Sequence, residues 1–265
     1  MHRMDQTENV IEQYKDDKNL SIRSQLHAKY STNKQGFHPW LFEKYRFSPG
    51  DRILELGCGN SAQWNNRISQ LPKDCILVLS DFSDGMVKIV WDKYSSHKSI
   101  LAQKIDIQNI PYPNECFDVI IANHMLYHVP DITKALSEIQ RVLKSGGTFY
   151  AATNGNGGMR TFLRKAFQKI HPESDAFTKD LSFHLQNGES ILSRYFDNVQ
   201  KVDFEDSFSI TNTHDLMDWL KSTVTMASYS EEDLSGLYEY FEGIRQKDGT
   251  INIPKETGMF IATKA

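Results

Sequence analysis

Glu55, Gly57, Cys58 and Gly59 stand together in the run ILELGCGNS, and each of the next three apolar runs also ends in residues that can hold a polar ligand. Asp81 lies near the end of CILVLSDFS, Asp106 and Ile107 close ILAQKIDI, and Asn123 with His124 comes late in FDVIIANHML. Glycines lack a Cβ, so a backbone rich in them turns sharply and brings its N–H groups against a ligand. A carboxylate about 20 residues after such a turn is placed to accept from two ribose hydroxyls. His124, Tyr127 and His128 add groups able to take a proton, and the spacing of the two histidines predicts one face of a helical turn. Each of these histidines also has a plain reading as a hydrogen-bonded neighbour of the core, and no third residue at ligand spacing follows them, so no metal site is read here.

These residues need a scaffold that brings strand ends to one edge. FSPGDRILELG reads as a Pro-Gly turn and a buried strand, followed by a helix over Ser61 to Leu71. Residues 75 to 83 read as a second strand, Asp84 to Tyr94 as a helix, ILAQKIDI as a third strand and FDVIIANHML as a fourth. Asp131 to Leu143 has helical spacing with an aspartate at its start and Lys144-Ser145-Gly146-Gly147 at its stop, before TFYAATN as strand five. Strands alternating with helices imply a parallel sheet covered on both faces, and such sheets bind ligands beyond the carboxyl ends of their strands.

Outside this stretch the pattern is looser. Val10 to Tyr45 reads as helices preceding the sheet. Residues 155 to 180 are glycine-rich, then basic and amphipathic, and resemble an inserted helix. NGESILSRYF reads as a helix and NVQKVDFED as a strand; Asp215 to Ala227 and Glu231 to Arg245 read as helices, and TGMFIATKA as a last strand. The organisation expected is an N-terminal helical segment over the ligand site (1–50), a core (51–154, 186–206 and 256–265) and a small, mainly helical cap (155–185 and 207–255). Met159, Met217, Met226, Phe162, Phe167, Phe208 and Trp219 suit packing within that cap, and a substrate lining would use the same residues. Arg160, Arg164, Lys165 and Lys169 read as a solvated helix face.

Composition narrows the function. A chain of 265 residues with a formal net charge of −4 can bury one α/β core with an appended lobe, and shows no basic stripe for nucleic acid or an anionic membrane. The partner expected is a small molecule. Cys58, Cys75 and Cys116 are too far apart for metal-ligand spacing and suit a reducing, cytoplasmic compartment. No window is apolar enough to span a bilayer, and the opening residues MHRMDQTENVIEQYKDDKNL lack an apolar core, so a soluble, unexported protein is expected.

From about Asp51 to Thr153 the chain resembles the class I methyltransferases that use S-adenosylmethionine, in the group of small-molecule, quinone and sterol methyltransferases. The resemblance rests on ILELGCGNS, LSDFSDGMV, IDIQNIPYPNECFDVIIANHMLYHVPD and RVLKSGGTFYAAT, and the closing TGMFIATKA resembles the family's seventh strand. It implies a Rossmann-like seven-stranded sheet of order 3-2-1-4-5-7-6 with strand 7 antiparallel and helices on both faces. It further implies that Gly57, Cys58 and Gly59 form the turn against the methionine moiety, with Glu55 organising the strand end. Asp81 would hold the ribose, Phe82 and Met86 would flank the adenine, Asp106 and the Ile107 N–H would meet its edge, and the Asn123 carbonyl would meet the amino group. Tyr30 and Trp40 would fold over the cofactor, since aromatic faces attract cations. The implied activity is methyl transfer to a nitrogen, oxygen or carbon of a small acceptor, with His124, His128 or Tyr127 available as proton acceptor.

Two other readings share parts of this pattern. A nicotinamide-dependent oxidoreductase also uses a glycine turn and an acid after strand two, and Ala62 in the third position after Gly59 is permitted there. Asp106, the GCGN context and the final strand favour methyl transfer. A catalytically silent S-adenosylmethionine-binding or regulatory protein would carry the same motifs, because a fold does not guarantee an activity.

Overall fold

A computed structural model describes residues 17–223 and 231–265. The first sixteen residues and 224–230, including Met226 and Ala227, lie outside the described residues. The chain forms strands β1 (Arg52–Leu56), β2 (Ile76–Asp81), β3 (Ile100–Lys104), β4 (Phe117–Ile121), β5 (Leu143–Asn154), β6 (Asp197–Phe204), β7 (Ser207–Ile210), β8 (Ile251–Pro254) and β9 (Thr257–Thr263). Seven of them make one sheet in the order β3-β2-β1-β4-β5-β9-β6, with β9 antiparallel to both β5 and β6. This is the expected order, with β9 in the place of the seventh strand. The expected termini are trimmed by a few residues, so Asp106 and Asn123 stand beyond their strands.

The inner strands are apolar on both faces because both faces are covered. Ile53, Leu77, Leu79, Val119 and Ile121 point into one layer with Val90, Trp40 and Leu41, while Leu54, Leu56, Val78 and Ile120 point into the other. The second layer is closed by α4 (Ile132–Val142), which buries Ala135, Leu136, Ile139 and Val142 along one stripe. Its start is fixed by Asp131, whose Oδ1 accepts from the Lys134 N–H at 2.9 Å. The other layer takes α2 (Phe37–Lys44) and α3 (Asp84–Tyr94), the latter capped by the Ser83 hydroxyl.

Three expectations are corrected. Ser61 to Leu71 is not a helix but two single 3-10 turns, Ala62–Trp64 and Ile68–Gln70. Ser61 and Asn66 both take left-handed backbone, with φ of 57° and 60°, which interrupts any longer helix. His124 also has φ of 53° and precedes a 3-10 turn at Leu126–His128, so His124 and His128 do not share a helix face. The third concerns residues 207–255, which contain, besides helices α7 (Thr213–Lys221) and α8 (Glu231–Gly243), the antiparallel pair β7–β8.

The pair packs with α7, α8, α5 (Gly158–Ile170) and α1 (Lys18–Tyr30) into a separate apolar cluster that includes Leu26, Leu163, Phe167, Phe208, Leu220 and Phe241. The short α6 (Gly188–Leu192) returns the chain to β6.

One ion pair fastens this cluster to the sheet edge. The side chains of Lys255 and Asp206 are 6 % and 1 % exposed and bonded to each other. Asp206 also accepts from the Asn33 N–H (3.0 Å), the Ser31 hydroxyl (2.9 Å) and the Ser207 N–H (2.8 Å). The α1–α2 connection, the β6–β7 turn and the β8–β9 turn thus meet at one point. Lys255→Met leaves a buried carboxylate uncompensated and is expected to cost about 3–5 kcal/mol, read from urea unfolding; adding Asp206→Asn should recover much of it. An unchanged midpoint in the single variant would show that the pair does not carry this load.

Candidate functional site

Strand register sets the site. Glu55 lies opposite Leu79 of β2 and Ile121 of β4. Two residues beyond each, at one level, come Gly57, Asp81 and Asn123. Asp81 in turn lies opposite Lys104 of β3, so Asp106 follows just past that level. The sheet therefore brings the turn, both carboxylates and the asparagine to a single edge.

The turn needs its glycines. Gly57 has φ of 70°, and a Cβ there would stand 2.8 Å from the Met125 Cβ and Cγ; Gly59 has φ of 54°. The Gly59 N–H donates to Asp81 Oδ2 at 2.9 Å, and the Ser83 N–H donates to Oδ1 at 2.9 Å. The Phe82 N–H is a third backbone donor to this carboxylate, whose four lone pairs thus leave one for a ligand. Burial raises the Asp81 pKa above the ordinary aspartate range. Asp106 Oδ1 accepts from the Gln108 N–H at 2.9 Å, an Asx turn that holds the carboxyl at the end of the strand. Phe82 is half-buried, while Met86 and Ile107 are buried.

Beneath the turn, Glu55 is 2 % exposed and accepts from Gln63 Nε2 at 2.6 Å and from the Trp64 indole N–H. The Asn123 amide donates to Tyr45 Oη at 2.8 Å and Gln63 Oε1 at 2.9 Å, and its Oδ1 accepts from the Ala152 N–H at 3.3 Å. Glu55 and the Asn123 side chain are thus committed to one buttress with Gln63, Trp64 and Tyr45. Cys58 is buried beside it, and burial pushes its thiol pKa well up, so it is an inert packing residue of the turn.

Two aromatic residues are not where the resemblance implies. Leu20 of α1 reaches the glycine turn, at 3.1 Å from where a Gly59 Cβ would be. Tyr30 lies ten residues further along the helix, roughly 15 Å away at 1.5 Å per residue. It is buried in the cap cluster and its hydroxyl donates to Asp215. Trp40 packs against Phe37 and Phe204 at centroid distances of 5.6 and 5.2 Å, in the core. Both rings are taken by packing.

Sequence reasoning missed a second group. His27 of α1, His38 of α2, His124 and Lys255 gather at the same edge, near enough to shift one another's protonation. Desolvation by the protein atoms packed around it first, then the charge of Lys255, holds His27 well below the usual imidazole range, although part of the residue is exposed. Burial and neighbouring His38, Lys255 and His128 lower His124 to about 4; burial and Arg67 lower His38 to about 4. Phe37 stands 5.1 Å from the His124 ring and Phe208 stands 4.9 Å from that of His27. Tyr127 is buried, with its ring 4.6 Å from that of His128. Among the described residues no group of three or more His, Cys, Asp or Glu could hold a metal ion.

The donor set fits a nucleoside with a vicinal diol and an amino-bearing base: Asp81 for the diol, Asp106 for the amine, the glycine turn for the far end. Residues 54–151 match the family model described as a methyltransferase domain. The chain is 29 % identical over 116 residues to the demethylmenaquinone methyltransferase of Symbiobacterium thermophilum, covering 43 % of this chain and 46 % of that one. The chain thus spans about half the length of the curated relatives it matches. Among solved structures it resembles the [4+2]-cyclase SpnF (TM-score 0.60, 16 % identity, 96 % of this chain and 94 % of that one). It also resembles phosphoethanolamine N-methyltransferase 2 of Haemonchus contortus in complex with S-adenosyl-L-methionine (TM-score 0.54, 18 % identity, 84 % and 51 %). Residues 54–151 thus match a methyltransferase domain, and the seven-stranded fold is shared with solved structures that include a methyltransferase in complex with S-adenosyl-L-methionine.

Glu55 offers a test of the buttress. Its pKa is raised from 4.5 to about 7, chiefly by burial. The folded state therefore holds this proton more tightly than the unfolded one, and stability is lost as pH rises through that window. Relative to Glu55→Gln, the wild type is expected to lose up to about 3 kcal/mol between pH 4.5 and about 8, measured by urea unfolding across pH. The histidines titrate in both proteins and cancel from the difference; a constant difference would refute the shift.

Proposed function

We propose that this chain transfers the methyl group of S-adenosylmethionine to a nucleophilic nitrogen, oxygen or carbon of a small-molecule acceptor, giving S-adenosylhomocysteine. The observation that carries the reading is the common level of Gly57, Asp81 and Asn123 at one sheet edge, with Asp106 just past it. Bound there, the cofactor supplies a methyl group already activated by its sulfonium. What falls to the chain is to orient the acceptor in line and to exclude water.

Asp81 receives the ribose hydroxyls, Asp106 and the Ile107 N–H the adenine, with Phe82 and Met86 beside its ring. The Gly57-Cys58-Gly59 turn and the Asn123 carbonyl take the methionine end. Glu55 acts as a positioning residue through Gln63 and Trp64. For an acceptor that reacts through a hydroxyl or an acidic carbon, His124 is the proton acceptor, neutral throughout the physiological range; Tyr127 and His128 stand behind it. The cap helices and α1 close over the acceptor. No described helix is long and apolar enough to cross a membrane. The three unpaired cysteines, Cys58, Cys75 and Cys116, accord with a cytoplasmic compartment.

A second reading has one observation in its favour. A [4+2]-cyclase shares the fold over 96 % of this chain, so the same frame supports chemistry other than methyl transfer. Calorimetry with S-adenosylmethionine, followed by a panel of small acceptors read out by S-adenosylhomocysteine release, separates the two. Asp81→Ala is expected to weaken cofactor binding by at least about tenfold, or 1.4 kcal/mol. Unchanged affinity removes Asp81 from the ribose site, and binding without turnover across the panel favours the second reading.

A further inference from the structure

We propose, resting on the methyl-donor site above, that the acceptor is an organic anion whose oxygen is received by the Nε2–H of His27, held in place by Lys255. The argument starts from the ammonium of Lys255, which has three N–H donors. One goes to Asp206, one to the Ser31 hydroxyl at 3.2 Å and one to His27 Nδ1 at 3.0 Å. Asp206 is a buried carboxylate that also accepts from Ser31, Asn33 and Ser207, so the lysine beside it is charged and donates. His27 must then accept at Nδ1.

A neutral imidazole that accepts at one nitrogen carries its proton on the other. The tautomer of His27 is fixed with Nε2 as donor, and the ammonium behind the ring polarises that N–H. His27 is an exposed residue, and its ring meets that of Phe208 in a T-shaped contact at 4.9 Å. A polarised donor on an open wall calls for an oxygen lone pair from a ligand.

The surroundings choose the charge. The groups that act on His27, His38 and His124 are one another, Lys255, His128 and Arg67, with Asp206 the sole carboxylate among them. Asp206 is 1 % exposed and lies behind Lys255, closed off by its own donors. From α1, α2, the loop after β4 and the β8–β9 turn, the edge therefore presents three imidazoles about Lys255, with the half-buried Phe37 ring 5.1 Å from that of His124, while Glu256 on the same turn is engaged by the Gly157 N–H and the Gln186 amide. An ammonium-bearing acceptor would bring a second cation towards the Lys255–His27 pair and offer no lone pair to the His27 N–H. An aromatic or enolic oxyanion would supply the lone pair that this fixed donor, polarised by Lys255, calls for.

The test uses the full chain saturated with S-adenosylhomocysteine and two probes of equal shape, benzoate and benzylamine, titrated calorimetrically near neutral pH. Benzoate is expected to bind at least about tenfold more tightly than benzylamine. His27→Phe keeps the ring against Phe208 and removes the donor, and should weaken benzoate binding by about tenfold or more. His27→Gln places an amide N–H near the position of Nε2 and should restore most of that affinity. S-adenosylhomocysteine binding should be the same in all three proteins, which a general loss of structure would not allow. Benzoate that fails to bind, benzylamine that binds as well, or His27→Phe that leaves benzoate affinity unaltered overturns the proposal. Failure of wild-type chain to bind S-adenosylhomocysteine would overturn the donor-site reading instead, in a separate titration.

Discussion

The pairing of Lys255 with Asp206 is the constraint on which the working edge of this molecule depends. Two charges taken out of water are costly unless every donor and acceptor finds a partner. Here each does: the ammonium has three acceptors and the carboxylate has donors on both oxygens. The pair draws together segments some 175 and 49 positions apart in sequence. Its effect is on geometry, because hydrophobic contacts alone would let α1 slide over the cap, whereas directed bonds fix where it leaves the sheet edge. Everything on that edge, including the cleft histidines, inherits this alignment.

A second fixed point lies under the glycine turn. Glu55 faces the layer that holds Trp64, where every neighbouring strand residue is apolar. A carboxylate there has no solvent to turn to, so it organises the chain around itself. Gln63 and Trp64 turn inward to it, the segment after the glycines breaks into two short turns, and Asn123 and Tyr45 complete the set. The backbone at the turn is thereby held from below, leaving its upper side to the ligand. The carboxylates divide by place: Asp81 and Asp106 stand at the carboxyl edge of the sheet, and Glu55 is buried beneath the turn.

The sheet was legible in the sequence because its strands are continuous apolar runs, each ending in a polar residue at the same distance from its neighbours' ends. Asp81, Asp106 and Asn123 could be picked out for that reason. α3 and α4 were legible because Ser83 and Asp131 cap clear periodic patterns. The segment 61–71 was not, since nothing local says that Ser61 and Asn66 adopt left-handed backbone. Tyr30 and Trp40 read alike in sequence whether they face a ligand or a core, and folding places both in packed clusters. His27, His38 and Lys255 left no trace at all. They come together only through folding of distant segments, and the tautomer of His27 depends on an ion pair 49 residues wide.

The antiparallel position of β9 has a consequence for how the molecule is made. β9 is the last element described, yet it lies inside the sheet between β5 and β6, and Lys255 sits immediately before it. During synthesis the residues from Glu55 to Met125 emerge well before β9. β5 meanwhile presents a bare edge of unpaired backbone, a template for wrong partners. Only when β9 slots in does that edge close and Lys255 reach Asp206. The β5 edge and the Lys255–Asp206 pair are thus completed by the same late segment of the chain.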